Sequence, residues 1–156
     1  MYPDPEIIAA VNATFVPLRL DLRHPKAREL NILWLPTLLI IDHRGREHAR
    51  QINAAPPADV LDFLALGEAR ARLKDARPAS RDRAVQVLTD ALRRRDDGPF
   101  HPELLYWYGI AGYFRGNEDG EFRDRVWDEL RRRYPDSLWA RRVPAFLLES
   151  MRQTER

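Results

Sequence analysis

The chain has 156 residues, 44% of them hydrophobic, with 26 basic and 24 acidic groups, a net charge of +2 and no cysteine. That hydrophobic fraction is enough to bury a core, whereas the lack of cysteine excludes disulfides, thiolate nucleophiles and cysteine-held metals. Lysine occurs only at Lys26 and Lys74, so the basic groups are nearly all arginine; their charge is almost balanced and leaves no large field to draw nucleic acid.

No apolar run approaches the ~20 residues of a membrane helix. Met1-Tyr2-Pro3-Asp4 lacks the basic and apolar regions of a signal peptide, so a cytoplasmic chain with no membrane attachment is expected.

Asp4-Pro5-Glu6 reads as a helix start: aspartate can cap, proline suits the first helical position and glutamate complements the dipole. Ile7, Ile8 and Val11 then share a face. Phe15 to Leu22 alternates, with Val16, Leu18, Leu20 and Leu22 on one side, which predicts a strand. His24 to Ile32 reads as a short helix with Pro25 in its first turn and Ala27, Leu30 and Leu33 inward.

Trp34-Leu35-Pro36-Thr37 leads into the apolar run Leu38-Leu39-Ile40-Ile41-Asp42. With the turn His43-Arg44-Gly45-Arg46 and the segment from Glu47 to Ile52, this predicts an antiparallel hairpin. After Pro56-Pro57, the residues Val60, Leu61, Phe63, Leu64 and Leu66 keep helical spacing. From Gly67 onward the pattern is helical, with loops at Arg77-Pro78, Asp96 to Pro99, Gly116-Asn117 and Pro135 to Ser137. Residues 1–66 carry 7 basic and 8 acidic groups and residues 67–156 carry 19 and 16, net −1 and +3. Two regions, 1–66 and 67–156, are expected, with the helix running through their boundary.

Residues 3–66 resemble the later part of a thioredoxin-fold domain. The resemblance is carried by Pro3-Asp4-Pro5-Glu6-Ile7-Ile8, Phe15 to Asp21, Leu35-Pro36-Thr37-Leu38-Leu39-Ile40-Ile41-Asp42, Gly45 and the Val60 to Leu64 helix. It implies an α/β fold, a cis bond before Pro36, and a Trp34, Leu35, Pro36, Thr37 loop that meets an extended protein segment. Asn53 departs from the glycine found there in many members. The family's first strand and its Cys-x-x-Cys have no counterpart, so the fold class is an α/β, truncated thioredoxin-like domain. The missing strand would lie between Phe15–Leu22 and Thr37–Asp42, leaving backbone groups that cost roughly 1–3 kcal/mol each if buried unpaired. Three remedies are open: the two strands pair directly, another copy supplies a strand, or residues upstream of Met1 do.

Residues 67–156 resemble tetratricopeptide-type helical hairpins, on Tyr108-Gly109, Gly116, Trp127, Leu130 and Pro135. A weaker copy shows Leu66-Gly67, Ala84, Leu88 and Ala91. Tyr113 and Arg123 depart from that pattern. The Leu138 to Met151 stretch is expected to be a capping helix.

No catalytic set emerges. His24, His43, His48 and His101 form no ligand pattern and are expected to be structural or superficial, so no metal or cofactor is expected. Asp42 and Glu47 read as charged turn residues. Arg93-Arg94-Arg95, Arg131-Arg132-Arg133 and Arg141-Arg142 read as solvated helix ends near Asp90, Asp96, Asp128 and Glu129. The aromatics from Tyr106 to Trp139 read as hairpin core, with Tyr106 or Phe114 left exposed.

The expected function is a non-catalytic protein-interaction module whose binding residues are Trp34, Leu35, Pro36 and Thr37. Its partner is a protein or peptide, with self-association through unpaired strand edges also open. The alternative is a piece of a thiol–disulfide oxidoreductase whose Cys-x-x-Cys lies upstream.

Overall fold

A computed structural model describes residues 4–116, 118 and 120–144. Among these the chain is mostly helical, with α1 (Pro5–Thr14), α2 (Pro25–Glu29), α3 (Pro57–Leu73), α4 (Pro78–Arg94), α5 (His101–Arg115), α6 (Gly120–Arg133) and α7 (Leu138–Arg142). The strands β1 (Thr37–Ile41) and β2 (Glu47–Ile52) form a two-stranded antiparallel sheet.

The helix starts follow local chemistry. The Asp4 carboxylate accepts from the Glu6 and Ile7 amides at 2.9 and 3.1 Å, and Pro5 opens α1. His24 caps α2, its Nδ1 accepting from the Lys26 amide at 3.1 Å. Ser137 caps α7 through the Ala140 amide at 3.0 Å. The remainder of the expected Leu138–Met151 helix, from residue 145, lies outside the described residues.

The strand expected over Phe15–Leu22 does not form. The residues after Phe15 run without strand pairing, and Val16 and Leu18 are 97% and 74% exposed. Alternation prepares one apolar face, but a strand exists only where a neighbour takes its backbone groups and a layer covers that face. Among the described residues no strand pairs with this segment and its face is covered only in part, at Leu20; Pro17, moreover, has no N–H to offer. Direct pairing of this segment with Thr37–Ile41 is therefore not the remedy for the missing strand. The inward set of the second helix is also smaller than expected: Ala27 is buried and Leu30 half-buried, but Leu33 is exposed.

The hairpin matches expectation and is held by its turn. Asp42 accepts from the Arg44 and Arg46 amides at 2.8 and 3.0 Å, while Gly45 adopts φ +77°, a left-handed conformation that suits glycine. The pairing sets Leu38 opposite Gln51 and Ile40 opposite Ala49, then shifts, so that Ile41 faces Glu47 and His48 is the extra residue of a bulge.

α3 joins the two halves, running without a break through Gly67. Its first part packs on the sheet, with Ile40, Ala49 and Phe63 as a small core. A β-carbon on Gly67 would stand 2.1 Å from Ile40 Cδ1, so a larger residue here would force the Ile40 side chain to shift. Farther along, α3 packs on α4, α4 on α5 and α5 on α6; α3 also touches α5, and α5 touches α7. One core lies among Leu66, Ala69, Ala84, Leu88, Ala91 and Leu104. A second gathers Leu105, Val126, Trp127, Leu130 and Ala140. Burying each leucine is worth roughly 1.5–3 kcal/mol, so most of the apolar stabilisation lies after residue 60.

Candidate functional site

The loop before β1 is fixed at both ends while its side chains face outward. On one side, Arg50 from β2 donates to the carbonyls of Leu30 and Asn31 at 2.8 and 3.3 Å, and its guanidinium is held by Glu47 at 2.6 and 2.9 Å. On the other, the Pro36 carbonyl accepts from the Asn53 amide at 2.9 Å, and the Thr37 hydroxyl donates to the Trp34 carbonyl at 2.6 Å. Asn53 takes φ +73°, a left-handed conformation that asparagine tolerates. The Leu35–Pro36 peptide bond is cis.

Between these anchors stand three consecutive apolar residues, Leu33, Trp34 and Leu35, exposed by 89%, 63% and 49%. Nine of the eleven large hydrophobic residues that the described chain exposes fall between Ile8 and Ile52; only Phe114 and Leu138 lie elsewhere. Single exposed apolar side chains are ordinary, but such a concentration sets this part of the chain apart from the rest. The structure thus brings Trp34, Leu35, Pro36 and Thr37 together as one ordered loop. Thr37 serves inside it, as the hydroxyl that closes the turn.

The titratable groups occupy structural positions. His48 is buried, with Nε2 3.1 Å from Asp42 Oδ2, and Arg46 Nε lies 2.7 Å from the same oxygen. Burial acts to raise the Asp42 pKa, but hydrogen bonds from Arg46, His48 and Arg44 outweigh it and hold this carboxyl well below the usual range. Such a carboxylate caps a turn; it is too weak a base for proton transfer near neutrality. His24 is a helix cap and His43 is exposed. His101 is buried at the start of α5, its ring 5.4 Å from that of Tyr134. Among the described residues no group of three or more His, Cys, Asp or Glu could hold a metal.

The first arginine triplet is not simply a solvated helix end. Arg94 and Arg95 turn back from the end of α4 onto Asp62 of α3, at 3.0 Å, and Arg95 also bonds Asp59. Asp62 is only 1% exposed. One clue is its place among Asp59, Phe63 and Leu66, on the stripe of α3 that turns inward. In the second triplet Arg133 holds Glu129 and Asp96, as the neighbouring charges suggested, and Arg131 also reaches the carbonyls of Val143 and Pro144.

No family model, curated protein or solved structure matches the chain. The site must stand on its own geometry.

The aromatics behave as core. Tyr106 stacks on Trp127 with centroids 5.3 Å apart and leans on Trp139 at 5.1 Å, so it is half-buried; Phe114 stays exposed beneath the Arg81 guanidinium at 5.6 Å. A cluster that the sequence did not announce joins α3 to α5. Glu103 accepts from Trp107 Nε1 at 3.3 Å and lies 3.5 Å from Arg70, whose guanidinium covers the Trp107 ring at 5.2 Å. Burial pushes the Glu103 carboxyl above its ordinary pKa, against the pull of Arg70 and the Trp107 hydrogen bond. Only the i,i+4 spacing of Glu103 and Trp107 hinted at it. Among the described residues no helix is long and apolar enough to cross a membrane.

Proposed function

We propose that this chain is a non-catalytic protein-interaction module that holds an extended apolar protein segment at the Trp34–Leu35–Pro36–Thr37 loop. The observation that carries the reading is the pinned loop with Leu33, Trp34 and Leu35 facing solvent. A preordered backbone lowers the entropy lost on binding, and a large exposed indole is the commonest kind of hot spot. The absence of cysteine points away from thiol chemistry in this chain. The stacked helices α3 to α7, read as tetratricopeptide-like hairpins, make a rigid support and a second surface for the partner.

Selection from a displayed peptide library tests this. Apolar extended peptides should be enriched, and Trp34→Ala should weaken them about tenfold or more. No enrichment, or enrichment indifferent to Trp34→Ala, sinks the reading.

A second reading, a piece of a thiol–disulfide oxidoreductase with its Cys-x-x-Cys upstream, draws support from the layers around the sheet. α3 covers one face, the Leu30–Asn31 segment is tied to the other by Arg50, and β1 keeps an unpaired edge. A thioredoxin-like domain lacking its central strand would have this arrangement. Translating the DNA before the Met1 codon decides it: an open frame with a strand pattern and Cys-x-x-Cys supports the enzyme, and an in-frame stop removes it.

A further inference from the structure

We infer that the outer edge of β1 is a self-complementary interface, through which two copies of this chain join about a two-fold axis at Leu39. The inference begins with hydrogen-bond parity. The Asn53 amide donates to the Pro36 carbonyl at 2.9 Å, which makes Pro36 and Asn53 a hydrogen-bonded pair of the antiparallel ladder. Such pairs alternate, so Leu38 with Gln51 and Ile40 with Ala49 carry the bonds between β1 and β2. The N–H and C=O groups of Thr37 and Leu39 therefore point away from β2. Among the described residues no other element bonds them: the one further bond of Thr37 is made by its hydroxyl.

The edge also lacks what blunts an edge. Thr37-Leu38-Leu39-Ile40-Ile41 contains no charge, proline or glycine, and inward charges, proline or lysine are the usual protection of a free strand. The alternating segment Val16–Leu22, whose pattern suits a strand, does not pair with that edge.

A second copy fits it by symmetry. With two β1 strands antiparallel and Leu39 opposite Leu39, the outward N–H and C=O of each leucine meet those of the other, and Thr37 comes opposite Ile41 of the second copy. A register shifted by one residue would set outward groups against groups already used in the ladder. A two-fold contact must be complementary to itself, and this register is. It joins two hairpins into one four-stranded sheet and continues the Leu38 and Ile40 face that α3 covers. The exposed Ile41 is drawn into that sheet. The interface is independent of what the Trp34 loop holds.

Sedimentation equilibrium from micromolar to millimolar protein is the test. A monomer–dimer equilibrium is expected, and Leu39→Pro should weaken it about tenfold or more, because the two-fold pair loses both N–H donors. Proline there removes an outward N–H and leaves the β1–β2 bonds in place, so far-UV circular dichroism should be unchanged. Ile41→Lys, on an exposed side chain, should weaken the dimer without altering the backbone. If Leu39→Pro does not fold, hydrogen exchange of the unsubstituted chain decides: the Thr37 and Leu39 amides should slow as concentration rises. A monomer throughout, a dimer untouched by Ile41→Lys, or amides whose exchange ignores concentration overturns the inference; the first would leave the edge to a strand from another protein.

Discussion

The ring of Phe122 lies where a side chain on Gly112 would stand. A β-carbon on Gly112 would come 2.0 Å from Phe122 Cε1 and 2.2 Å from Cδ1, and Phe122 is itself held edge-on to Tyr108 at 5.3 Å. The closeness of α5 and α6 therefore depends on the missing side chain.

Gly112→Ala should destabilise the chain. Alanine gains about 1 kcal/mol in helix propensity, but displacing a packed aromatic ring costs about 1–3 kcal/mol, so a net loss of about 1 kcal/mol is expected. Urea denaturation measures it. In a Phe122→Ala background the same change should become neutral or stabilising, because the obstructing ring is gone; equal losses in both backgrounds would show that the ring is not the obstacle.

The clamp between α3 and α4 should be sensitive to its acid. Asp62 is buried and receives both Arg94 and Arg95. Removing one partner of a fully buried pair costs about 3–5 kcal/mol; here the arginines are partly exposed and can turn to water, so Asp62→Ala should cost about 2 kcal/mol. Arg95→Ala should cost more than Arg94→Ala, since Arg95 also holds Asp59. The reverse order in urea midpoints would mean that the Asp59 contact contributes little.

Stability should divide unevenly along the chain. Leu88 is fully buried in the core between α3, α4 and α5, and Leu88→Ala should cost about 2–5 kcal/mol. Leu18→Ser and Leu33→Ser, both on strongly exposed side chains, should change stability by less than about 0.5 kcal/mol. A large loss from either serine variant, measured by thermal unfolding, would show that this part of the surface is covered.

Local signals were legible in the sequence, and signals that need a distant partner were not. Asp4-Pro5 gave the start of α1, Pro57 and the Val60 to Leu66 spacing gave α3, and Asp42 to Gly45 gave the hairpin turn, because in each case residues within four positions supply the chemistry. Val16 to Leu22 has a strand's alternation but not its neighbour, and alternation says nothing of whether a neighbour exists. Arg94 and Arg95 looked like a helix end because their partner is 32 and 33 residues away, on another helix. The Trp34 loop stood out in the sequence through its resemblance to a known family; its fixation by Arg50 did not, since an arginine in a strand names no carbonyl in advance.

Buried His101 and half-buried Glu103 should oppose each other in the dependence of stability on pH. His101 is 3% exposed; burial first, and then the Arg133 charge, lower its pKa, with Asp96, Glu129 and Asp62 pulling the other way. A lowered folded pKa means that the unfolded chain binds the proton more tightly. The contribution is present above the ordinary histidine value of about 6.5 and is lost as pH falls below it. Glu103 has a raised pKa, chiefly from burial, so its contribution is present below the ordinary glutamate value of about 4.3 and is lost as pH rises through the raised one. The unsubstituted chain should therefore lose stability as pH drops just below 6.5, and His101→Phe, which keeps a ring beside Tyr134, should flatten that slope. Glu103→Gln should remove the opposing slope at lower pH and leave the histidine one intact. Urea midpoints of the three proteins between about pH 4 and 8 separate these effects, and a His101→Phe curve parallel to the parent's would show that His101 is not the titrating group.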